Sequence, residues 1–138
     1  CKKEGFFICP QCKESLTEYK YFICPTCKRR DLFGRLDKNC RKETGLTRFL
    51  GAPLSYKDEP VRKIIHAFKY QRVKALAESL AEILIQFLDR NNFRKIARTL
   101  PVTLAPVPLN NFRERERGFN QAAEIGKLTA MHFSLSFE

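Results

Sequence analysis

Cysteine spacing is the feature of this 138-residue chain that most limits how it can fold. All six cysteines lie in the first forty residues, and four of them form two Cys-Pro-x-Cys pairs, Cys9–Cys12 and Cys24–Cys27, separated by eleven residues. Two cysteines three positions apart can direct both sulfurs at one ion, and the turn between them points its amides at those sulfurs. Because Zn²⁺ prefers four such ligands in a tetrahedron, the spacing predicts a structural zinc module. A redox pair would explain only one of the two motifs.

Two ligation schemes fit this spacing. In the first, the Cys9–Cys12 and Cys24–Cys27 pairs share one ion, and Cys1 and Cys40 take no part. In the second there are two ions: Cys1 is the remaining half of a truncated pair and joins Cys9–Cys12, while Cys24–Cys27 joins Cys40 and one further ligand. Asp37 lies three residues before Cys40 and is either that further ligand or an ordinary loop residue, since carboxylates do bind zinc but rarely in structural sites.

Charge and hydropathy narrow the class of protein. The net charge of +11 favours phosphates, nucleotides, nucleic acid or acidic partners, although a solvated basic surface is the commoner case. No segment reaches the roughly 18 successive apolar residues that a membrane span needs. The longest apolar region, around Ala81 to Leu88, is interrupted by Glu82 and Gln86. With no visible signal peptide and cysteines spaced for metal, we expect a cytoplasmic protein.

Both ends of the chain look cut. The sequence begins at Cys1 without a methionine and stops at Glu138 just after a helical pattern. We therefore expect a fragment of a longer protein.

The chain divides into residues 1–45, which hold all the cysteines, and residues 46–138. The first part contains strand-like pieces at Phe6–Ile8 and Tyr21–Ile23. Because a module of this size buries little apolar surface, bound metal must supply much of its folding free energy. A short strand is also predicted at Leu54–Tyr56.

The second part alternates helical and strand patterns. Pro60 suits the first turn of an amphipathic helix that continues through Phe68, and a second apolar stripe runs from Leu76 to the Asn91-Asn92 pair. A short apolar strand is predicted at Val102–Ala105. A last helix is predicted from the N-cap Asn120 to about residue 131. The order helix, helix, strand, loop, helix is typical of the opening of an α/β domain.

An arginine-rich stretch precedes the last helix. Arg113, Arg115 and Arg117 are followed by Gly118, directly before the helix start at Asn120. A helix N-terminus attracts anions, arginine binds phosphate with two parallel hydrogen bonds, and glycine allows backbone to approach a ligand. The stretch is equally compatible with an exposed loop whose arginines pair with its own glutamates.

Several motifs in this order resemble the ComF family, which joins a double zinc ribbon to a type I phosphoribosyltransferase-like domain. The resemblance rests on the Cys-Pro-x-Cys pairs and on three later segments, Ile64–Tyr70 with the following Leu-Ala repeats, Ala105–Leu109, and the most specific one, Arg115–Gln121. It implies an α/β fold with an N-terminal zinc-ribbon module followed by the first part of a phosphoribosyltransferase-like domain.

The resemblance also implies the ligands of two zinc ions. In the family, four Cys-x-x-Cys pairs supply two ribbons, which favours the two-ion scheme. This chain departs from the pattern because its first pair is reduced to Cys1 and its fourth reads Asp37-x-x-Cys40. The candidate metal ligands are therefore Cys1, Cys9, Cys12, Cys24, Cys27, Asp37 and Cys40.

By resemblance, the chemistry would be the attack of a nucleophile on C1 of Mg²⁺-bound phosphoribosyl pyrophosphate. The candidate pyrophosphate-binding residues are Arg113, Arg117, Gly118 and Asn120. The family's ribose-phosphate loop, two acidic residues before Thr-Thr-Gly, is absent and would lie beyond Glu138. We therefore expect the fragment alone to be inactive. The family's link to competence suggests single-stranded DNA or the DNA-uptake machinery as partners.

A different class of function stays open. The basic charge and the cysteine pairs also suit a non-catalytic zinc-ribbon module that binds nucleic acid or a protein partner. A purely structural module that docks the second domain is the third alternative.

Overall fold

A computed structural model describes residues 7–24, 26–31, 35–44 and 51–138. In these ranges the chain is a mixture of helices and small two-stranded sheets. The elements are α1 Pro10–Glu14, β1 Phe22–Ile23, β2 Arg30–Asp31, α2 Lys38–Thr44, α3 Glu59–Tyr70, α4 Leu76–Arg90, α5 Phe93–Thr99, β3 Thr103–Leu104, α6 Asn111–Arg117, α7 Gln121–Phe133 and β4 Ser136–Phe137.

The N-terminal part is a β-hairpin flanked by short helices. Strands β1 and β2 pair in antiparallel fashion, with Phe22 opposite Asp31. The strand predicted at Tyr21–Ile23 is thus confirmed. The strand predicted at Phe6–Ile8 is wrong in its described part, because residues 7 and 8 form a bend that leads into α1 at Pro10; Phe6 lies outside the described residues.

Helices α3 and α4 form the core, as the periodicity predicts. Helix α3 contains Pro60 in its first turn and buries Val61 and Phe68. Helix α4 buries one continuous face that extends from Leu76 to Phe87, and α7 packs along it. The predicted end of α4 near Asn91 is also confirmed, since Asn91 is its C-cap.

The C-terminal part contains a parallel strand pair. Strand β3 lies within the predicted Val102–Ala105, and it pairs with β4 so that Thr103 lies opposite Ser136. The connection between them passes through α6 and α7, so the unit is strand, helical crossover, parallel strand. Asn120 caps α7 as predicted, because its side chain accepts hydrogen bonds from the backbone N–H groups of residues 122 and 123.

Two local predictions are wrong. Residues 111–117, predicted as a loop, form helix α6, because the Asn110 side chain accepts from the Arg113 N–H at 2.9 Å and Gly118 ends the helix with φ of +80°. The predicted strand Leu54–Tyr56 is reduced to a single bridge between Leu54 and Glu18. Among the described helices, none is both long and apolar enough to cross a bilayer.

The hairpin is attached to the helical core through aromatic packing. The Phe22 ring contacts the Phe87 ring of α4 edge to face, with centroids 5.0 Å apart. Gly51 lies against the same Phe22 ring, and a Cβ at this position would collide with it. At the end of α4, Arg90 forms a 2.7 Å ion pair with Glu18. These contacts fix the hairpin on α4.

We expect Phe87→Ala to lower the free energy of unfolding by about 3–5 kcal/mol, because it removes a buried ring and leaves a cavity beneath the hairpin. Phe112→Ala is the matched control: Phe112 is 76% exposed on α6, and its loss should change stability by no more than about 0.5 kcal/mol. Urea denaturation of the zinc-loaded proteins measures both. Equal effects of the two substitutions would contradict this account of the core.

Candidate functional site

The first candidate site is built on the turn of the hairpin. Cys24 follows β1, its N–H donates to the Arg29 carbonyl at 2.9 Å, and its carbonyl accepts from the Lys28 N–H at 3.0 Å. Lys28 adopts a left-handed backbone with φ of +59°, which closes the turn tightly. The two cysteines of this pair are therefore held at one end of the hairpin.

Helix α2 adds a third cysteine to this pair. The sulfurs of Cys24, Cys27 and Cys40 all lie within 4.8 Å of one another. Cys24 and Cys40 are buried together with Leu36, while Cys27 is exposed. Residues separated by more than ten positions in the sequence thus converge on one point.

Backbone amides are directed at the sulfur of Cys24, as the Cys-Pro-x-Cys spacing predicts. The N–H of Cys27, followed by that of Thr26 and the neighbouring thiols, lowers the pKa of Cys24 to about 7 despite its burial. The hydrogen bond with Cys27, followed by burial and the proximity of Cys24, raises the pKa of Cys40 to about 11. A cation that replaces the thiol protons would relieve the crowding of these three sulfurs.

The donor set fits a metal ion such as zinc. In a tetrahedral site with Zn–S bonds of about 2.3 Å, the sulfurs lie roughly 3.8 Å apart, so the observed group needs only a small contraction. Thiolates also select soft or borderline metals over Mg²⁺ or Ca²⁺. Cys24, Cys27 and Cys40 would hold the ion.

Asp37 lies beside this group but is engaged elsewhere. Its Oδ1 accepts from the Asn39 N–H at 2.9 Å at the start of α2, and its Oδ2 lies 3.8 Å from Arg29 Nη1. Asp37 lines a cavity of about 180 Å³ together with Cys24 and Cys27. No carboxylate of the described residues joins the sulfur group itself. Ligation by Asp37 would require its side chain to leave the helix start.

Cys9 and Cys12 form a separate pair in the described part of the chain. Cys9 precedes α1 and is buried, and Cys12 packs against the core around Phe68. The hydrogen bond with Cys9, followed by burial, raises the pKa of Cys12. Neither sulfur belongs to the three-cysteine group, which is the grouping that the two-ion scheme requires. Cys1, the predicted partner of this pair, lies outside the described residues.

The second candidate site is the junction between α6 and α7. Arg117 is buried, with 9% of its surface exposed, and its Nη1 donates to Gln121 Oε1 at 3.2 Å. Its guanidinium lies 5.5 Å from the centroid of the Tyr70 ring. Among the described residues, no hydrogen-bond acceptor reaches Arg117 Nε. The cation is therefore only partly satisfied by the protein.

A second arginine supports the junction. Arg72 donates from Nε and Nη2 to the Glu116 carbonyl at 3.1 and 2.9 Å, which satisfies the end of α6. Its Cδ lies 3.8 Å from the position of a Cβ on Gly118. The sequence pattern gives no role to Arg72 or Tyr70. Their contacts with α6 become visible only in the folded chain, where the end of α3 lies next to α6.

The remaining predicted residues have distinct positions. Arg113 is exposed on α6. Asn120 uses its Oδ1 to cap α7, and its Nδ2 donates to the Val107 carbonyl at 3.1 Å. The N–H groups of Ala122 and Ala123 are therefore already occupied. The start of α7 offers fewer free donors to an anion than the sequence suggests.

No family model, curated protein or solved structure matches this chain.

Zinc content distinguishes the two ligation schemes. Under the two-ion scheme, Cys40→Ser removes a ligand of the three-cysteine group, and we expect native mass spectrometry to find one zinc fewer than in the wild type. Cys9→Ser should also lower the zinc content by one, because it removes a ligand of the second ion, the one bound by the Cys9–Cys12 pair. Zinc content that is unaffected by Cys40→Ser would favour one ion shared by the Cys9–Cys12 and Cys24–Cys27 pairs.

Proposed function

We propose that the chain is part of a ComF-type, phosphoribosyltransferase-like protein, in which a zinc-bearing cysteine module precedes a domain that binds a pyrophosphate-containing ligand. The observation that carries this proposal is the hydrogen bond from Asn120, in the Arg115–Gln121 motif, to the carbonyl of Val107 just after the carboxyl end of β3. In α/β folds with parallel strands, ligands bind at this edge of the sheet.

The contacts of Asn120 support this location. Its hydrogen bond to Val107 ties the start of α7 to the segment that follows β3. Val107 comes three residues after the end of β3 at Leu104, so the hydrogen bond brings the start of α7 to the carboxyl end of that strand. This agrees with a ligand site at the junction.

The charge of Arg117 is the second support. A buried guanidinium is costly unless it is paired, and the partners of Arg117 among the described residues are the Gln121 amide and the Tyr70 ring, neither of which is anionic. A pyrophosphate group that reaches the exposed edge of the guanidinium would supply the missing negative charge. Gly118 leaves space next to the ligand, and Arg113 on the same helix would add a second, exposed cation.

The proposed reaction transfers a phosphoribosyl group. A nucleophile would bond to C1 of the ribose while the bond from C1 to the pyrophosphate oxygen breaks, and pyrophosphate leaves with that electron pair. Mg²⁺ bound to the substrate would offset the charge of the pyrophosphate. The thiol group suits zinc and not Mg²⁺, and we assign no described residue to Mg²⁺, since the family's acidic pair does not occur in this sequence. The task of Arg117 is to bind and orient the leaving group.

Calorimetric titration with pyrophosphate tests the site. We expect Arg117→Ala to weaken binding by about ten- to a hundredfold, because it removes charge-assisted hydrogen bonds. Arg115→Ala is the matched control: it removes the same charge from the exposed face of α6 and should leave the affinity within about twofold.

Circular dichroism must first establish that the Arg117 variant is folded, since the side chain is buried. Arg117→Lys keeps the charge but not the planar fork, so it should recover part of the affinity. A folded Arg117→Ala variant with wild-type affinity would remove Arg117 from the site. A wild-type chain that binds no pyrophosphate would contradict the proposed site.

A further inference from the structure

The end of helix α3 is held on the α6–α7 junction by contacts on either side of one tyrosine, Tyr70. Two residues before it, the Phe68 ring packs against the Phe119 ring, with centroids 5.4 Å apart. Two residues after it, Arg72 donates from Nε and Nη2 to the Glu116 carbonyl at the end of α6. The backbone that carries the tyrosine is therefore fixed relative to the junction.

Tyr70 lies against the guanidinium of Arg117. The centroid of its ring is 5.5 Å from Arg117 Cζ, within the roughly 6 Å over which an aromatic face attracts a cation. The other contact that the described residues give this guanidinium is the hydrogen bond from Nη1 to Gln121 Oε1 at 3.2 Å. Since an amide oxygen carries only a partial charge, the ring supplies a large share of the attraction that the buried cation receives from the protein.

The ring and the amide restrain the guanidinium in different ways. The hydrogen bond from Nη1 sets one direction, about which the planar group could still rotate. The Tyr70 ring limits that rotation, because turning the group away would lose the attraction between the cation and the ring. Since Nη1 is already used and Nε is buried, Nη2 is the edge of Arg117 that remains for a ligand.

Burial separates Tyr70 from the residues that form the core. Its side chain is 53% exposed, whereas Phe68 on the same helix is 1% exposed and belongs to the core. One turn earlier, the His66 ring packs against the Tyr70 ring with centroids 4.8 Å apart and supports it from within α3. Replacing the Tyr70 side chain therefore opens no large cavity, so its effect on Arg117 can be separated from a loss of folding.

We propose that Tyr70 is a positioning residue, whose ring holds the buried guanidinium of Arg117 in the orientation that turns Nη2 to an incoming anion. The inference rests on the proposed function for the identity of that anion, pyrophosphate. The contact between ring and guanidinium itself does not depend on a ligand. Tyr70 acts through Arg117, so the aromatic ring is the part of its side chain that matters.

Calorimetric titration of the zinc-loaded chain with pyrophosphate measures the effect on binding. Tyr70→Leu keeps an apolar side chain but removes the ring, and we expect the affinity to fall by about three- to thirtyfold. Tyr70→Phe keeps the ring and should return the affinity to within about twofold of wild type. Tyr56→Leu makes the same change at a tyrosine that is 64% exposed on another segment, and it should leave the affinity unchanged.

A double substitution distinguishes positioning from a general structural role. If Tyr70 acts through Arg117, Tyr70→Leu should change the affinity by no more than about twofold once Arg117→Ala has removed the guanidinium. A general loosening of the junction would instead weaken binding by the same factor in both backgrounds. Circular dichroism verifies that each variant is folded.

The Arg117 Nε–H provides a second readout that needs no ligand. Because Nε is buried, its proton exchanges slowly with water and gives an NMR resonance, which the neighbouring ring shifts. The absence of this resonance in Arg117→Lys assigns it. We expect Tyr70→Phe to keep its position and Tyr70→Leu to move it toward that of exposed arginines.

The two readouts separate this inference from the proposed function. An unchanged Nε–H resonance or wild-type affinity in a folded Tyr70→Leu variant would overturn the positioning role. An equal loss of affinity in Tyr70→Phe would also overturn it, because the hydroxyl and not the ring would then be required. A wild-type chain that binds no pyrophosphate would overturn the proposed function instead, and the resonance would still decide whether Tyr70 holds Arg117.

Discussion

Burial of helix α4 is the constraint on which the rest of the structure depends. Its apolar face contacts α7, and Phe87 near its end receives the Phe22 ring of the hairpin. One helix thus supports both parts of the chain. The α7 packing sets where the α6–α7 junction lies relative to β3, while the hairpin packing sets where the three-cysteine group lies relative to α4. A change in the α4 core would therefore reach both candidate sites although neither lies on α4.

The hairpin depends on that support because it is small. Strands of two residues form too few ladder hydrogen bonds to be stable alone, and the buried cluster around Cys24, Leu36 and Cys40 is minor. Two further interactions can hold it: the contact with α4 and a metal ion on the three sulfurs. The ion would join the hairpin turn to α2, whereas Phe22 joins the opposite side of the hairpin to α4. Folding of the module and metal binding are therefore coupled.

Sequence reasoning succeeds here where the signal is local. Helices α3 and α7 could be predicted because apolar spacing coincides with Pro60 in the first turn and Asn120 at the N-cap. Helix α6 could not be predicted from periodicity, since its arginines and glutamates leave no apolar stripe, although Asn110 and Gly118 carry capping signals. The spacing of the cysteines predicts the pairs and gives Cys40 as the partner of Cys24–Cys27 in one of two schemes, and the folded chain brings these three sulfurs together. The contacts of Arg117 with Tyr70, and of Arg72 with the end of α6, join distant segments and appear only in the folded chain.

The two candidate sites differ in how they are built, and this has a physical consequence. Arg117 is buried, so its interaction with an anion would be weakly screened by salt and would depend on geometry. A metal ion on the three sulfurs would compete with the thiol protons, so its affinity would depend on pH. The junction is suited to one compact anion in a fixed orientation. The cysteine group is suited to one soft cation that joins the hairpin turn to α2.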